Sequence, residues 1–214
     1  MKDAIVGYTT GSLEEEHESD DKEPIGVMST FTYVKTFLKD KNVASITPTS
    51  RAGVKNICNR INFRKRNVIV EYGPATGVFT DYMLPRISHD SKIVLIERNS
   101  NFVSILKKKY SDSRIFVYHE SAENIRDILR DCGETTADYI LSGIPFILFS
   151  EALRNDIVSV TYASITDGGK FLPYQTFIQR YKHLKKHLDR YFTSVKVEYF
   201  LRNIPPMRIY EAIK

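Results

Sequence analysis

The sequence has only two cysteines and no long apolar run, and both features limit the classes of protein that it can belong to. Cys58 and Cys132 lack the paired spacing of a metal site and the dense pattern of a secreted disulfide framework. We therefore expect reduced thiols in a cytoplasmic protein. No stretch reaches the roughly 18 apolar residues that a membrane-spanning helix needs. The acidic N-terminus also lacks the basic-then-apolar pattern of a signal peptide.

The net charge of +5 conceals two regions of opposite sign. Met1 to Glu23 contains eight acidic and two basic residues, so the rest of the chain carries +11. Residues 12–23 are almost free of apolar side chains, which predicts a disordered acidic tail over residues 1–26. The basic remainder implies a polyanionic partner, either nucleic acid or an anionic membrane surface.

The segment 27–66 is basic and predicts two amphipathic helices. From Met28 to Arg66 it holds nine basic residues and one acidic residue. The first predicted helix, Thr30–Lys39, has apolar and aromatic side chains on one face and lysines elsewhere. That arrangement suits either a membrane interface or the core of the protein. The second predicted helix, about Thr49–Phe63, is expected to pack on the core.

A strand, a glycine turn and a helix then follow in close succession. Val68–Val70 is a short β-branched run, Gly73 and Gly77 bracket a tight turn, and Val78–Leu84 resumes at helical spacing. Such a turn directs backbone N–H groups at a ligand. Twenty residues after the turn, a second apolar run ends in Glu97, where nucleotide-binding units carry an acidic group for ribose hydroxyls. The spacing predicts a nucleoside-cofactor site.

The chemistry of the turn narrows the cofactor. A dinucleotide site needs Gly-x-Gly-x-x-Gly, and a carboxylate repels pyrophosphate. Here Glu71 precedes the turn, and the turn contains no lysine. A carboxylate suits a cofactor that carries an amino acid and a sulfonium cation. The turn resembles the first motif of class I methyltransferases, which use S-adenosylmethionine. Ala75 stands where that family has glycine, and we expect its methyl group to cost little.

Strand and helix patterns alternate after the turn, which predicts a doubly wound α/β domain over residues 67–214. The predicted strands are Val68–Val70, Lys92–Glu97, Arg114–Tyr118, Ala137–Leu141, Lys170–Gln175, Ser194–Leu201 and Arg208–Ile213, and the predicted helices are Val78–Leu84, Phe102–Tyr110, Glu123–Arg130, Glu151–Thr166 and Phe177–Tyr191. A Gly168-Gly169 turn is expected to open the fifth strand. The methyltransferase resemblance implies a Rossmann-like, mostly parallel seven-stranded sheet with a C-terminal antiparallel hairpin, preceded by N-terminal helices.

Five blocks of sequence resemble bacterial phospholipid N-methyltransferases, which convert phosphatidylethanolamine to phosphatidylcholine. The blocks are Phe37–Asp40 with Ile46–Ser50, Val70–Thr80, Leu95–Asn99, Tyr139–Phe146 and Asn203–Tyr210. The Ser-Gly-Ile-Pro and Asn-Ile-Pro-Pro elements are the most specific, because generic methyltransferases lack them. The resemblance implies S-adenosylmethionine-dependent N-methylation of phosphatidylethanolamine and its mono- and dimethyl forms, without a metal. It also implies a peripheral position on the inner face of the plasma membrane, bound through the basic N-terminal helices.

The resemblance also assigns residues to the cofactor. These are Glu71, Gly73 and Gly77 for the methionine end, Glu97 at the ribose, Ser121 and Ala122 at the adenine, and also Arg98 and Ser142. The family has Gly-Asp-Ala after the third strand, and this chain has Glu-Ser-Ala. Ser121, Glu120 or Glu123 must therefore take the role of the aspartate.

Ser142, Ile144 and Tyr174 form the expected catalytic set. Methyl transfer from a sulfonium needs no protonation of the leaving group, so positioning and desolvation of a neutral amine dominate. Carbonyls of Ser142–Pro145 could orient that amine, with a plain strand-exit turn as the alternative. Tyr174 could be a hydrogen-bond partner, a weak base or a core residue. For a lipid phosphate the candidates are Arg180, Lys182 and Arg208; His183 and His187 are expected to be a solvated pair.

Three other functions fit the sequence. Ribosomal RNA adenine N6-methyltransferases share the fold and a basic surface, but need Asn or Asp before a Leu-Pro-Tyr-type motif that stacks a flipped base. Here Ser142–Phe146 occupies that place, so Phe146 could stack while the amide is missing. No helical RNA-binding domain is expected after the hairpin. Methylation of another amino-lipid, such as an ornithine lipid, and a non-enzymatic membrane-surface protein with a decayed fold are the remaining alternatives.

Overall fold

The computed structural model describes residues 49–176 and 182–214. The strands are β1 Val68–Tyr72, β2 Lys92–Glu97, β3 Ile115–His119, β4 Ala137–Ser142, β5 Ile165–Thr176, β6 Ser194–Phe200 and β7 Met207–Ile213. The helices are α1 Arg51–Cys58, α2 Val78–Met83, α3 Ser100–Lys109, α4 Ile125–Asp131, α5 Glu151–Ser164 and α6 Lys182–Tyr191. The predicted acidic tail, the predicted helix Thr30–Lys39 and Arg180 lie outside the described residues.

The strands form one seven-stranded sheet in the order β3-β2-β1-β4-β5-β7-β6. Strands β1 to β5 run parallel to one another, and β7 runs antiparallel to both β5 and β6. The predicted fold class is therefore confirmed. The strand order reverses between β1 and β4, where Tyr72 pairs with both Ile96 and Ser142. In open parallel sheets, ligands bind at the carboxyl ends of the strands beside this reversal.

Strand β1 is buried along its whole length because it lies in the centre of the sheet. Its alternate side chains pack into the two core layers on opposite faces, with Val68, Val70 and Tyr72 in one layer and Ile69 in the other. This burial explains the uninterrupted apolar run of the sequence.

Helix α1 packs on the same layer as Ile69, which confirms the expectation that the second helix covers the core. Its residues Val54, Ile57 and Cys58 are buried, and Ser50 caps its N-terminus by accepting a hydrogen bond from the N–H of Gly53. The helix ends at Cys58, before the predicted Phe63: the N–H groups of Arg60 and Ile61 donate to carbonyls only three residues back, and that of Asn62 donates to the hydroxyl of Tyr139. In the described ranges, no helix is both long enough and apolar enough to span a membrane.

The glycine pair Gly168-Gly169 lies inside β5, so the prediction that it opens the strand was wrong. The pairing with β4 shifts between Ala137 and Tyr139, and Gly168 adopts φ of +74° at this irregularity. A Cβ at Gly169 would lie 2.5 Å from Cγ2 of Ile165, so a side chain does not fit there. The pair forms a bulge, for which glycine's left-handed backbone is suited.

Candidate functional site

The glycine turn joins β1 to α2 at the carboxyl edge of the sheet. Gly73 and Gly77 have φ of +68° and +81°, and the N–H of Gly73 donates to the carbonyl of Ile96 at 3.0 Å. A Cβ at Gly73 would lie 3.0 Å from Cγ2 of Ile144. The turn therefore brings the tips of β1 and β2 against the segment that follows β4.

Ala75 also adopts a left-handed conformation, with φ of +50°. The expectation that its methyl group costs little was wrong, because this backbone region disfavours an L side chain by about 1 to 2 kcal/mol. The N–H of Ala75 donates to Oε2 of Glu97 at 3.2 Å, and this contact holds the strained residue over the tip of β2.

Two side chains at the end of α3 clamp the turn. The hydroxyl of Tyr110 shares its proton between the carbonyl of Gly77 at 2.8 Å and Oδ1 of Asp81 at 2.7 Å. The ammonium of Lys109 donates to the carbonyl of Thr76 and to Asp81. A Cβ at Gly77 would lie 2.3 Å from the Tyr110 hydroxyl, so this glycine is also required for close approach. The sequence does not predict this clamp, because no local spacing links α3 to the turn.

Glu71 lies at the end of β1 and is buried, with 1% of its surface exposed. Its Oε2 accepts a hydrogen bond from Oγ1 of Thr80 at 2.9 Å, while Oε1 has no hydrogen-bond partner. Burial raises the pKa of the carboxyl to about 7, against the opposing effect of the Thr80 hydrogen bond. An unpartnered buried carboxylate oxygen is suited to a cationic ligand. The chain therefore fits the amino-acid end of S-adenosylmethionine at this point.

Glu97 ends β2 and is satisfied by backbone groups. Its carboxylate accepts from the N–H of Asn99 at 2.8 Å and from that of Ala75, and burial raises its pKa against these hydrogen bonds. The structure thus places Glu97 beside the turn, where the spacing predicted a ribose ligand. The neighbouring Arg98 is exposed, and its carbonyl contacts Nε2 of His119.

The segment 120–124 lies against the tip of β2, because the N–H of Glu120 donates to the carbonyl of Glu97. The hydroxyl of Ser121 donates to Glu123 at 2.9 Å, and Ala122 is buried. This segment therefore lies beside Glu97, and the role of Ser121 and Ala122 at the adenine stays a prediction.

On the other side of the reversal, Ser142 ends β4 and is fully buried, and its hydroxyl has no hydrogen-bond partner. The next residue, Gly143, donates its N–H to the carbonyl of Tyr72 at 3.0 Å. A Cβ at Gly143 would lie 2.5 Å from the hydroxyl of Tyr174, so that phenol lies directly over the strand exit. Ser142, Ile144 and Tyr174, the predicted catalytic set, are thus brought together.

Tyr174 is held by three contacts. Its ring stacks on Phe79 at 4.9 Å between centroids, its hydroxyl bonds the side chain of Thr49, and its oxygen faces Gly143. Burial, and then the charge of Glu71, raise the pKa of the phenol well above its usual value. The phenol is therefore neutral near pH 7, which favours a hydrogen-bonding role over that of a base.

Other predicted residues lie elsewhere. Phe146 is fully buried and packs edge-on against Phe149 and Phe171, so it is not available to stack a base. His187 is only 5% exposed, and burial lowers its pKa, so the prediction of a solvated pair was wrong for this residue. The side chains of Lys182 and His183 lie outside the described residues. Arg208 is buried beneath the ring of Tyr199.

Within residues 49–176 and 182–214, no group of three or more His, Cys, Asp or Glu residues is arranged to hold a metal ion.

Comparison with known proteins gives one family match and several relatives. Residues 30–125 match the model of the ribosomal RNA adenine dimethylase family. An ornithine lipid N-methyltransferase from Singulisphaera acidiphila is 25% identical over 182 residues, which cover 84% of this chain and 93% of that protein. A ribosomal RNA small subunit methyltransferase A from Blochmanniella pennsylvanica is 28% identical over 121 residues, 56% of this chain and 40% of that protein.

Solved structures show the same fold. A precorrin-6y C5,15-methyltransferase from Geobacter metallireducens superimposes with a TM-score of 0.65 at 13% identity, covering 80% of this chain and 92% of that chain. The sheet order, the glycine turn and these matches together identify a class I methyltransferase that uses S-adenosylmethionine.

Proposed function

We propose that this methyltransferase transfers a methyl group to the amine of a membrane lipid, at the inner face of the plasma membrane. The proposed acceptor is phosphatidylethanolamine, followed by its mono- and dimethyl forms, and the amine of an ornithine lipid is the alternative within the same class. The basic segment 27–66 is proposed to help hold the enzyme on anionic lipid.

The strand exit after β4 carries the proposal. A base-methylating site needs a polar side chain and an aromatic ring that together hold a flipped base. Here the exit offers the buried hydroxyl of Ser142 and the neutral phenol of Tyr174, while Phe146 is packed in the core. Two small oxygen groups suit an alkyl amine, which donates N–H bonds and needs no stacking partner. The near full-length alignment with an amino-lipid enzyme supports the same class.

The proposed chemistry relies on binding and orientation. S-adenosylmethionine, when bound, supplies an electrophilic methyl group on sulfonium. Glu71 would hold its amino-acid end, and Glu97 with Ser121 and Ala122 would hold its nucleoside. The oxygens of Ser142 and Tyr174 would accept hydrogen bonds from the amine and point its lone pair along the transfer axis. A buried acceptor site also favours the neutral amine, because desolvation lowers the pKa of an ammonium group.

A ribosomal RNA adenine methyltransferase is the second candidate, because residues 30–125 match that family. That match covers the cofactor half of the domain and ends before β4. The strand exit after β4 and Tyr174, which form the proposed acceptor site, lie beyond it.

A methyl-transfer assay with labelled S-adenosylmethionine tests the proposal. Vesicles of phosphatidylethanolamine with anionic lipid, vesicles containing ornithine lipid, and undermodified ribosomal RNA are offered separately. Label in lipid, lost in Glu71→Ala and kept in the exposed-site control Asp90→Asn, is the expected result. Label in RNA alone would overturn the proposal. Label in ornithine lipid but not in phosphatidylethanolamine would retain the amino-lipid class and change the head group.

A further inference from the structure

The turn between β6 and β7, residues 201–206, exposes two aliphatic side chains and is called the apolar turn below. Leu201 is 71% exposed and Ile204 is 82% exposed. Tyr199, near the end of β6, is 50% exposed at the same tip of the hairpin. Three large apolar side chains at one tip favour contact with an apolar medium, because the transfer of apolar surface from water into such a medium lowers the free energy.

The apolar turn is anchored through the residue between these two side chains. Asn203 is only 3% exposed. Its Oδ1 accepts the backbone N–H of Ser50 at 2.8 Å, and its Nδ2 donates to the carbonyl of Pro205 at 2.9 Å. Leu201 and Ile204 therefore project from a fixed point next to the start of α1.

The apolar turn is also joined to the acceptor site through Gly53 and Thr49. A Cβ at Gly53 would lie 2.7 Å from Cε of Met207, 2.9 Å from Cγ2 of Thr49 and 3.4 Å from Oδ1 of Asn203. The side chain of Thr49 bonds the hydroxyl of Tyr174. Only one layer of residues therefore separates the apolar turn from the phenol over the β4 exit.

Charge at the tip favours a lipid surface over other partners. Arg202 is exposed between the two aliphatic side chains. Aliphatic side chains next to arginine match an anionic bilayer, which offers acyl chains and phosphates within a few ångströms. Nucleic acid offers phosphates but no medium for Leu201 and Ile204.

We propose that the apolar turn docks on the lipid bilayer, inserts Leu201 and Ile204 into the interface, and thereby places the acceptor site over the lipid head groups. This inference rests on the proposed lipid acceptor. It assigns the membrane contact next to the site to β6 and β7, in addition to the basic N-terminal segment.

The absence of tryptophan from the chain allows a direct test. Leu201→Trp introduces the only indole, on an exposed position where it will not disturb the core. With vesicles of phosphatidylethanolamine and phosphatidylglycerol that carry brominated acyl chains, its fluorescence should be strongly quenched. The matched control is Ile105→Trp on α3, which is 44% exposed and lies at the opposite end of the sheet. Its fluorescence should be unchanged. Equal quenching of both variants, or none at Leu201→Trp, would overturn the docking.

A second measurement compares activity on vesicles with activity on monomeric short-chain phosphatidylethanolamine. In the double variant Leu201→Asp with Ile204→Asp, the ratio of the two activities should fall about tenfold or more, because two inserted side chains are replaced by charges. Ile105→Asp should leave the ratio unchanged. A ratio unchanged in the double variant would contradict the docking.

The two proposals fail separately in these measurements. Quenching needs neither cofactor nor turnover, so it reports docking even if the wild type methylates no lipid, in which case only the proposed function fails. Conversely, lipid methylation without quenching at Leu201→Trp would retain the function and remove the docking. The fluorescence of Leu201→Trp is also measured without vesicles at rising protein concentration. If it is quenched there, and vesicles add no further quenching, the apolar turn contacts a second copy of the chain, which would overturn docking on lipid.

Discussion

The carboxyl edge of the sheet has a cofactor half and an acceptor half, and the residues that contact one another in these halves differ greatly in their separation along the chain. The cofactor half, around the tips of β1, β2 and β3, is closed by contacts such as Ala75 with Glu97 and Tyr110 with Gly77, which are 22 and 33 residues apart. The acceptor half depends on the contact between Ser50 and Asn203, which are 153 residues apart. The cofactor half can therefore form from one continuous segment, whereas the acceptor half requires the complete sheet.

The two halves also differ in the hydrogen-bond partners of their buried polar side chains. In the cofactor half, Glu97 is bonded to backbone N–H groups, and only Glu71 keeps a buried oxygen without a hydrogen-bond partner. In the acceptor half, Ser142 has an unpartnered hydroxyl under a neutral phenol. Each half thus leaves one buried oxygen for a ligand, a carboxylate in one and a hydroxyl in the other. A buried polar group without a partner costs stability, so both are expected to trade stability for binding.

Replacement of Glu71 should have the largest effect. Glu71→Gln removes the charge that holds a cationic ligand, so cofactor affinity should fall about 100-fold, measured by calorimetry. Stability should change in the opposite direction. Because the folded-state pKa is raised from 4.5 to about 7, the wild type loses stability as the pH rises from 4.5 through about 7. The variant should escape this loss of about 3 kcal/mol.

Chemical denaturation at several pH values checks the stability part. The difference between Glu71→Gln and wild type should grow between about pH 4 and pH 8 and then stay constant. Asp90→Asn, on an exposed carboxyl, is the control for a general charge effect. A constant difference across that range would contradict a raised pKa at Glu71.

Substitutions in the acceptor half should change the methylation rate and leave cofactor affinity unchanged. Tyr174→Phe removes the phenol oxygen, and Gly143→Ala pushes a methyl group against it; each should lower the methylation rate about 30-fold with cofactor affinity unchanged. Because both changes act on one oxygen, the double variant should be little worse than either single variant. Additive losses would indicate independent roles for the two residues. Rate and affinity measured on the same preparations decide this.

The difference in sequence separation between contacting residues also explains which features of the site the sequence could predict and which it could not. The turn, Glu71 and Glu97 follow from a strand, two glycines and a fixed spacing, all within one β-α-β unit. The Tyr110 clamp was missed because a tyrosine at a helix end has no signature until the helix packs. His187 was misassigned because a basic helix in sequence does not show which face will pack against the neighbouring helix α5. The Gly168-Gly169 bulge looked like a turn, since both need the same backbone freedom.

The clamp offers a smaller test of the cofactor half. Tyr110→Phe removes the hydroxyl that bonds Gly77 and Asp81, which should lower the free energy of unfolding by about 1.5 kcal/mol and weaken cofactor binding severalfold. Tyr118→Phe is the matched control, because it also loses a tyrosine–aspartate bond, to Asp131, away from the turn. Its cofactor affinity should equal that of the wild type. Equal effects of both variants on affinity would mean that the clamp does not position the turn.

Ala75→Gly should have the smallest effect and tests whether strain in the turn serves binding. Relief of the left-handed backbone favours the folded variant by about 1 to 2 kcal/mol, whereas the added freedom of glycine in the unfolded chain offsets about half of that. A net gain of about 0.5 to 1 kcal/mol is therefore expected in the free energy of unfolding. If affinity for S-adenosylmethionine is unchanged, the methyl group is only a cost. If affinity falls while stability rises, the strained alanine positions Glu97, and the cofactor half, like the acceptor half, gives up stability for its ligand.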